Sequence, residues 1–230
     1  MGMSYIYNTK CFTDENDISY YLLGAFLTDG CMKKDRVCIS SKDIEWIEHI
    51  RNLICPSLSV VKDGKNCHRL NIYNKTIRDW LIANECIRNK SLTLKVPKVP
   101  EKFLPDFLRG CIDGDGTIAH KQYKRIRNNK ESLFYSTHYS LTSASKNFTD
   151  GICDILKNNN LNYSLIISKP GTKKSKIDGR EIAHKNNIYY ITGGHRSAFK
   201  FLNWIYYPNH RISLLRKMET ANKIILHYTS

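Results

Sequence analysis

Residues 21–31 read YLLGAFLTDGC and residues 107–117 read FLRGCIDGDGT, so the pattern aromatic-Leu-x-Gly-x-apolar-x-x-Asp-Gly occurs twice in one chain. A supersecondary unit that is repeated cannot bury its apolar face alone, so the two copies are expected to pack against each other. The similarity continues downstream. VCISSKDIEWIEHIRNLI (37–54) and YSLTSASKNFTDGICDIL (139–156) each run from a short alternating stretch, through Ser/Thr-Ser, into a segment of helical period. Ile44, Ile47, Ile50 and Ile54 carry that period in the first copy; Phe148, Ile152, Ile155 and Leu156 carry it in the second.

CHRLNIY (67–73) alternates as a half-buried strand ahead of a helical stretch at 77–82, and NIYYIT (187–192) does the same ahead of 197–205. Each half closes on a basic amphipathic piece, NKSLTLK (89–95) and RISLLRK (211–217). The order in each half is therefore α-β-β-α-β-β-α, which predicts an α+β fold of two pseudo-symmetric halves: 1–95, then 106–230. Between them VPKVPEKFLP (96–105) carries three prolines, which suit a linker and forbid a continuous helix. The second half is longer because two hairpin connections are longer. Both insertions are basic, KQYKRIRNNK (121–130) and KPGTKKSK (169–176), and read as surface loops.

Charge sets the partner class. With 36 Lys+Arg against 21 Asp+Glu, the net charge of +15 favours polyanions, and clustered cations that neutralise phosphates make binding steeply salt-dependent. The eight cysteines are dispersed without a C-x-x-C pair, which argues against a zinc ribbon and for a reducing, intracellular compartment. The eight histidines show no H-x-x-x-H. No apolar run approaches the roughly 20 residues of a bilayer span, so no membrane role is expected.

The repeated motif carries the chemistry. On a helix, Leu22, Leu23, Phe26 and Leu27 form one apolar face, and Phe107, Leu108, Cys111 and Ile112 form its counterpart. Gly24 and Gly110 lie mid-helix, where glycine costs about 1 kcal/mol against alanine; the paired cost implies close backbone approach. Gly30 and Gly116 read as helix stops. If the helices pack side by side, Asp29 and Asp115 meet at their C-terminal ends. Two carboxylates and two negative helix ends repel one another, which is unfavourable without a cation and favourable with a hard one. Mg²⁺ takes carboxylate and carbonyl oxygens while keeping waters, so the candidate ligand set is Asp29 and Asp115 with Thr28, Gly30 and Gly114. One acid from each half makes a pseudo-twofold site suited to the two strands of a duplex.

Residues 22–30 (LLGAFLTDG) and 108–116 (LRGCIDGDG) resemble the two motifs of single-chain LAGLIDADG homing endonucleases, and the repeat order extends the likeness over nearly the whole chain. The resemblance implies a sequence-specific double-strand DNA endonuclease, acting as a monomer across the minor groove to leave 3′ overhangs. It also implies paired motif helices with antiparallel sheets forming a DNA-binding saddle, and Asp29 and Asp115 as metal-binding acids. It assigns the family's lysine to Lys217 and, less closely, to Lys95, and the water-ordering polar positions to Ser41 and Ser143, with Lys42 beside the former. Leu27 stands where the family often carries an acid that Asp113 retains. Ser41 and Ser143 are shorter than the usual Gln or Asn.

By the same likeness DNA is read from polar strand faces in the major groove, where Arg pairs with guanine and Asn with adenine. In the first half these are Arg36, Cys38, Ser40, Arg69 and Asn71, opposite Val37, Ile39, Leu70 and Ile72, with Lys42 just beyond the strand. In the second they are Ser136, His138 and Ser140, opposite Leu133, Tyr135, Tyr139 and Leu141, together with Lys121, Tyr123, Arg125, Arg127, Lys173, Lys174 and Arg180 in the basic insertions.

CIDGDGT (111–117) also fits the D-x-D-G-T motif of haloacid-dehalogenase phosphatases, but its segment has helical period and its duplicate ends in a single Asp. An EF-hand requires an acid where Lys124 stands. Two helix caps alone leave unexplained the aspartates at helix C-termini, where the dipole disfavours anions. The remaining alternative is a non-cleaving intron maturase or DNA-binding relic on the same fold. Intron RNA then becomes a second partner, since charge alone does not choose between polyanions.

Overall fold

A computed structural model of the chain describes residues 5–64, 66–127, 130–171, 174–177, 180–183 and 185–229, with backbone only at 127, 130, 174–177 and 180–183. The first half runs α1 (Lys10–Thr13), α2 (Asp17–Thr28), β1 (Gly30–Met32), β2 (Val37–Ser41), α3 (Ile44–Ile54), β3 (Val60–Lys62), β4 (His68–Ile72) and α4 (Lys75–Ala83). The second runs α5 (Leu104–Asp115), β5 (Gly116–Arg127), β6 (Lys130–Ser143), α6 (Lys146–Asn158), β7 (Ser164–Ser168), β8 (Lys174–Ile177), β9 (Arg180–Ala183), β10 (Ile188–Gly194), α7 (His195–Ile205) and α8 (Leu215–Thr229).

The repeat is visible in the sheets. One is ordered β1-β2-β4-β3 and the other β5-β6-β10-β7, both antiparallel, with β8 and β9 as a separate ribbon inside the second half. Each order is the same meander with the same crossover, as two copies of one unit require. The architecture is α+β, as the pattern predicts.

The motif helices lie at the centre. Phe107, Leu108, Cys111 and Ile112 are buried, as are Leu22, Leu23, Phe26 and Leu27, and they join the core of both halves. A side chain at Gly24 would put its Cβ 2.2 Å from the Phe107 carbonyl oxygen, and one at Gly110 would put it 2.1 Å from that of Tyr21. The glycines are where backbone meets backbone. α2 starts on a capping box, with Asn16 accepting from the Ser19 amide at 3.0 Å and Ser19 Oγ from the Asn16 amide at 3.1 Å. α5 carries Pro105 in its first turn, where its missing N–H has no partner to lose.

Several expectations are corrected. Neither Gly30 nor Gly116 is a left-handed stop: Gly116 is extended (φ −83°, ψ 164°), and each glycine begins a strand. They are glycines because a Cβ would fall 2.3 Å from the Phe26 carbonyl oxygen or 2.6 Å from that of Ile112. The strand leaves so tightly against the last helical turn that no side chain fits. On α3, Trp46 takes the core position expected of Ile44, which is 41% exposed. The run 121–130 is not a loop over its described part: β5 extends to Arg127 and β6 starts at Lys130 as a long paired ribbon, carrying Leu133 beyond the core to 59% exposure. The closing pieces also differ, since RISLLRK enters α8 whereas NKSLTLK makes only a 3-10 turn at Lys90–Leu92. No helix among the described residues is long and apolar enough to cross a membrane.

Candidate active site

Asp29 caps the end of α2 and Asp115 closes α5, so the glycine contact between the helices delivers both carboxylates to one place. A Cβ added at Gly114 would lie 3.6 Å from the Asp29 carboxyl carbon, which measures how near the second motif comes. Burial and, next, the charge of Asp115 push the Asp29 carboxyl up to about 6, against the opposing pull of Lys217 and Lys90. Asp115 opens onto solvent as a residue, yet enough protein surrounds its carboxyl to raise its pKa too, again against the two lysines.

The lysines sit at the helix ends. Lys217, in the first turn of α8, is 4% exposed and donates to the carbonyls of Ile112 (2.6 Å), Asp113 (2.9 Å) and Gly114 (3.3 Å). Burial lowers its pKa to about 8, although the nearby carboxylates oppose the shift. It thus adds a side-chain donor to the carbonyls that end α5 and places a cation against the helix's negative end. In the first half the buried lysine at the end of the motif helix is Lys90, and Lys95 lies away from it. Lys95 is exposed, whereas Lys90 is 8% exposed and donates to the Gly30 carbonyl after α2. The sequence signal for Lys90 was weak because its segment forms no helix.

Asp113, the motif acid named above, has no site role by sequence alone, and Arg109 was missed outright. Asp113 is buried, accepting from the hydroxyls of Tyr21 (2.8 Å) and Tyr206 (2.6 Å) and from the Leu214 amide (2.7 Å), while Trp46 donates to the Tyr21 hydroxyl at 2.6 Å. Arg109 is wholly buried on α5, paired to Asp106 at 2.6 Å and donating to the carbonyls of Ile205 (2.7 Å) and Ile212 (2.9 Å). Asp and Arg three apart on one helix was the available signal.

The halves cross over around the acids. A cavity of about 250 Å³ brings Thr28, Lys90 and Ser91 of the first half together with Asp115, Thr142 and Ser143 of the second. A second cavity, about 280 Å³, joins Lys42, Asp43 and Trp46 to Arg216 and Glu219 and is bridged by Arg216 on Asp43 at 2.9 Å. Ser143 lines the first cavity and accepts from the Ser145 amide at 3.1 Å; Ser41 accepts from the Asp43 amide at 3.2 Å.

A metal was assigned to five residues. Asp29 and Asp115 fit a hard cation: two crowded carboxylates, at the carbonyl ends of two helices, gain from a positive charge between them. Among the described residues no group of three or more His, Cys, Asp or Glu is placed for a metal. Thr28 Oγ1 is turned back to the Gly24 and Ala25 carbonyls, and the Gly30 carbonyl is held by Lys90, so these two supply less than expected. The Gly114 carbonyl likewise accepts from Lys217, at 3.3 Å.

The strand faces sort the DNA-contact residues. Cross-strand pairing puts Lys121 opposite Ser136, Ala119 opposite His138, Thr117 opposite Ser140, Tyr123 opposite Phe134 and Arg125 opposite Ser132. Lys121, Tyr123 and Arg125, read from the sequence as loop residues, therefore share one face with Ser136, His138 and Ser140. Through β10 the same face gains Tyr190 and Thr192, which the sequence did not single out. In the first half Ser40 pairs with Arg69 and Cys38 with Asn71 on the face away from α3. Cys38 is corrected: at 5% exposure, with its Sγ 3.4 Å from the Cys31 carbonyl, it underlies that face and does not present to a groove. Arg69 is ion-paired to Asp63 and Arg36 to Asp35 at 3.0 Å, so both arginines begin engaged within the chain. Lys42 is exposed. Lys173 lies outside the described residues, and Arg127, Lys174 and Arg180 lie on strands whose side chains there are outside them.

Sequence comparison matches no family model and no curated protein. Structure comparison finds the fold. The chain is similar to the LAGLIDADG homing endonuclease I-SmaMI bound to cleaved DNA (TM-score 0.56, 10% identity, covering 93% of this chain and 90% of that one). It is similar also to the LAGLIDADG meganuclease I-AabMI bound to uncleaved DNA (TM-score 0.57, 13% identity, 93% and 92%). A third likeness is full-length DUF199/WhiA from Thermatoga maritima (TM-score 0.51, 14% identity), of which 62% is covered against 94% of this chain. The chain has the LAGLIDADG homing endonuclease fold, two pseudo-symmetric halves on paired motif helices.

Proposed function

We propose that this chain is a metal-dependent, sequence-specific DNA endonuclease that hydrolyses one phosphodiester on each strand of a long asymmetric site, across the minor groove, leaving 3′ overhangs. The observation that carries the reading is the meeting of Asp29 and Asp115 at adjoining helix ends with the buried Lys217 beside them. Asp29 and Asp115 would hold Mg²⁺, with the Gly114 carbonyl within reach of the same site. Bound there, Mg²⁺ supplies Lewis-acid polarisation of a scissile phosphate and a more acidic water. Lys217 and Lys90 keep positive charge beside the place where phosphorane charge develops, in positions set before DNA arrives. The single-chain pseudo-twofold arrangement supports a monomer acting on double-stranded DNA. The ribbon face of Lys121, Tyr123 and Arg125 supplies phosphate and base contacts in the major groove.

The fold also occurs in WhiA, so fold alone does not separate cutting from binding. Retention of both acids and both buried lysines favours cutting over the maturase or relic reading: a protein that only binds has no use for two crowded carboxylates. The deciding experiment incubates the protein with DNA carrying the joined, insertion-free flanks of its gene, with Mg²⁺, with Ca²⁺ and without metal. A double-strand cut with Mg²⁺ alone, lost in Asp115→Asn while binding persists, is the expected result. Binding without cutting under every metal overturns the endonuclease reading in favour of the maturase, with intron RNA as the next ligand to test. Normal cutting by Asp115→Asn removes the site assignment.

A further inference from the structure

We propose that the two cleavage centres are unequal: the centre around Lys217 cuts its strand first, and Asp113 is the positioning residue that makes it faster. The inference rests on the endonuclease reading and concerns how that site is built. Asp113 and Leu27 occupy the same position of the repeated motif. Both are buried, at 1% exposure each, but only Asp113 can accept hydrogen bonds.

Asp113 Oδ2 takes the Leu214 amide at 2.7 Å, and the Leu214 carbonyl in turn accepts from the amides of Lys217 and Met218, each at 3.0 Å. The carboxylate therefore grips the residue from which α8 springs. Lys217, on the first turn of α8, reaches back to the carbonyls of Ile112, Asp113 and Gly114. The two elements hold each other reciprocally, α5 through the Asp113 carboxylate and α8 through the Lys217 ammonium. Tyr21 from α2 and Tyr206 from the end of α7 complete the acid's partners, so the clamp spans both halves.

Among the described residues the first half has no such device. Leu27 offers no acceptor. Lys90 stands in a three-residue 3-10 turn entered through Asn89 in the left-handed region (φ 58°), and its ammonium has one carbonyl partner. Charge stabilisation depends on groups held in place before the reaction, and displacement of about 1 Å can cost on the order of 100-fold in rate. A cation locked by three carbonyls and a carboxylate-held helix start is better placed than one carried on a turn. The expected consequence is a nicked intermediate, with first-strand cutting faster by roughly tenfold, well within that range.

The test follows each strand separately on a doubly end-labelled target with Mg²⁺, for the wild type and the variants Lys217→Met, Lys90→Met, Asp113→Leu and Tyr206→Phe. Tyr206→Phe removes one of the acid's partners and guards against a fold defect in Asp113→Leu. Amide exchange on metal-free, DNA-free protein supplies a second readout. Expected is that wild type nicks one strand first and that Lys217→Met slows that strand. Asp113→Leu should slow the same strand about tenfold, Tyr206→Phe less, with the other strand nearly unchanged; amides at the start of α8 should exchange faster while those at 90–92 do not. Equal cutting of both strands, equal slowing of both by Asp113→Leu, or unchanged exchange at the start of α8 overturns this inference alone. Failure of the wild type to cut either strand overturns the endonuclease reading and this inference with it.

Discussion

Gly24 lies so close to Phe107 that a methyl group on the glycine would sit 2.2 Å from the Phe107 carbonyl oxygen. The contact is reciprocated by Gly110 on Tyr21, and it is what brings Asp29 and Asp115 together. Gly24→Ala and Gly110→Ala therefore set helix propensity against packing. Propensity favours alanine by about 1 kcal/mol, but overpacking against backbone that cannot turn aside costs about 1–3 kcal/mol or more. Urea unfolding is expected to show net destabilisation for each, and cleavage is expected to fall further than stability because the acids move apart. A neutral or stabilising effect would show that the helices are not in this contact.

The second prediction concerns pH in metal-free protein. The Asp29 carboxyl is raised from 3.8 to about 6, so the folded state binds this proton more tightly than the unfolded chain. Stability from this group is accordingly greatest at low pH and is lost as pH rises through about 4 to 6. Asp29→Asn, which mimics the protonated form, should stabilise the protein at pH 7 in EDTA by about 1–3 kcal/mol and have little effect at pH 4. Mg²⁺ should raise the wild-type Tm at pH 7 and leave that of Asp29→Asn nearly unmoved. A variant no more stable than wild type at pH 7 would show that the acids are not crowded.

Lys90 and Lys95 separate by burial. Lys95→Met changes an exposed residue and should shift stability by less than about 0.5 kcal/mol with cleavage intact. Lys90→Met removes the donor from the Gly30 carbonyl and a cation from beside both acids, so cleavage should drop sharply at nearly unchanged DNA affinity. The reverse ranking would restore Lys95 as the first-half lysine.

The ribbon gives a test of facing. Lys121 and Arg125 lie on the face of Ser136, His138 and Ser140, whereas Lys124 lies on the other and pairs with Glu131 at 2.7 Å. Replacing Lys121 and Arg125 by alanine should reduce the slope of log binding constant against log salt by about 0.9 for each phosphate that is no longer neutralised. Lys124→Ala should leave the slope unchanged. Equal slopes in all variants would place the DNA elsewhere.

Much of this architecture is legible in the primary structure because its causes are local or repeated. Helical and alternating periods depend on which face is apolar, and the duplicated motif places two glycines and two aspartates in register, so the α+β halves, the buried helix faces and the meeting of Asp29 with Asp115 follow from the residues alone. The rest depends on contacts between segments far apart in the chain. Lys90 displaced Lys95 because a 3-10 turn, not a helix, brings an ammonium to the Gly30 carbonyl, 60 positions away. Gly30 and Gly116 proved to be packing glycines because their constraint is a carbonyl of the preceding turn and not their own φ. Asp113 gained its partners from Tyr21, Tyr206 and Leu214, none of them its neighbours in sequence. Local pattern determines which elements form; only their packing in three dimensions decides which polar groups close the helix ends around the acids.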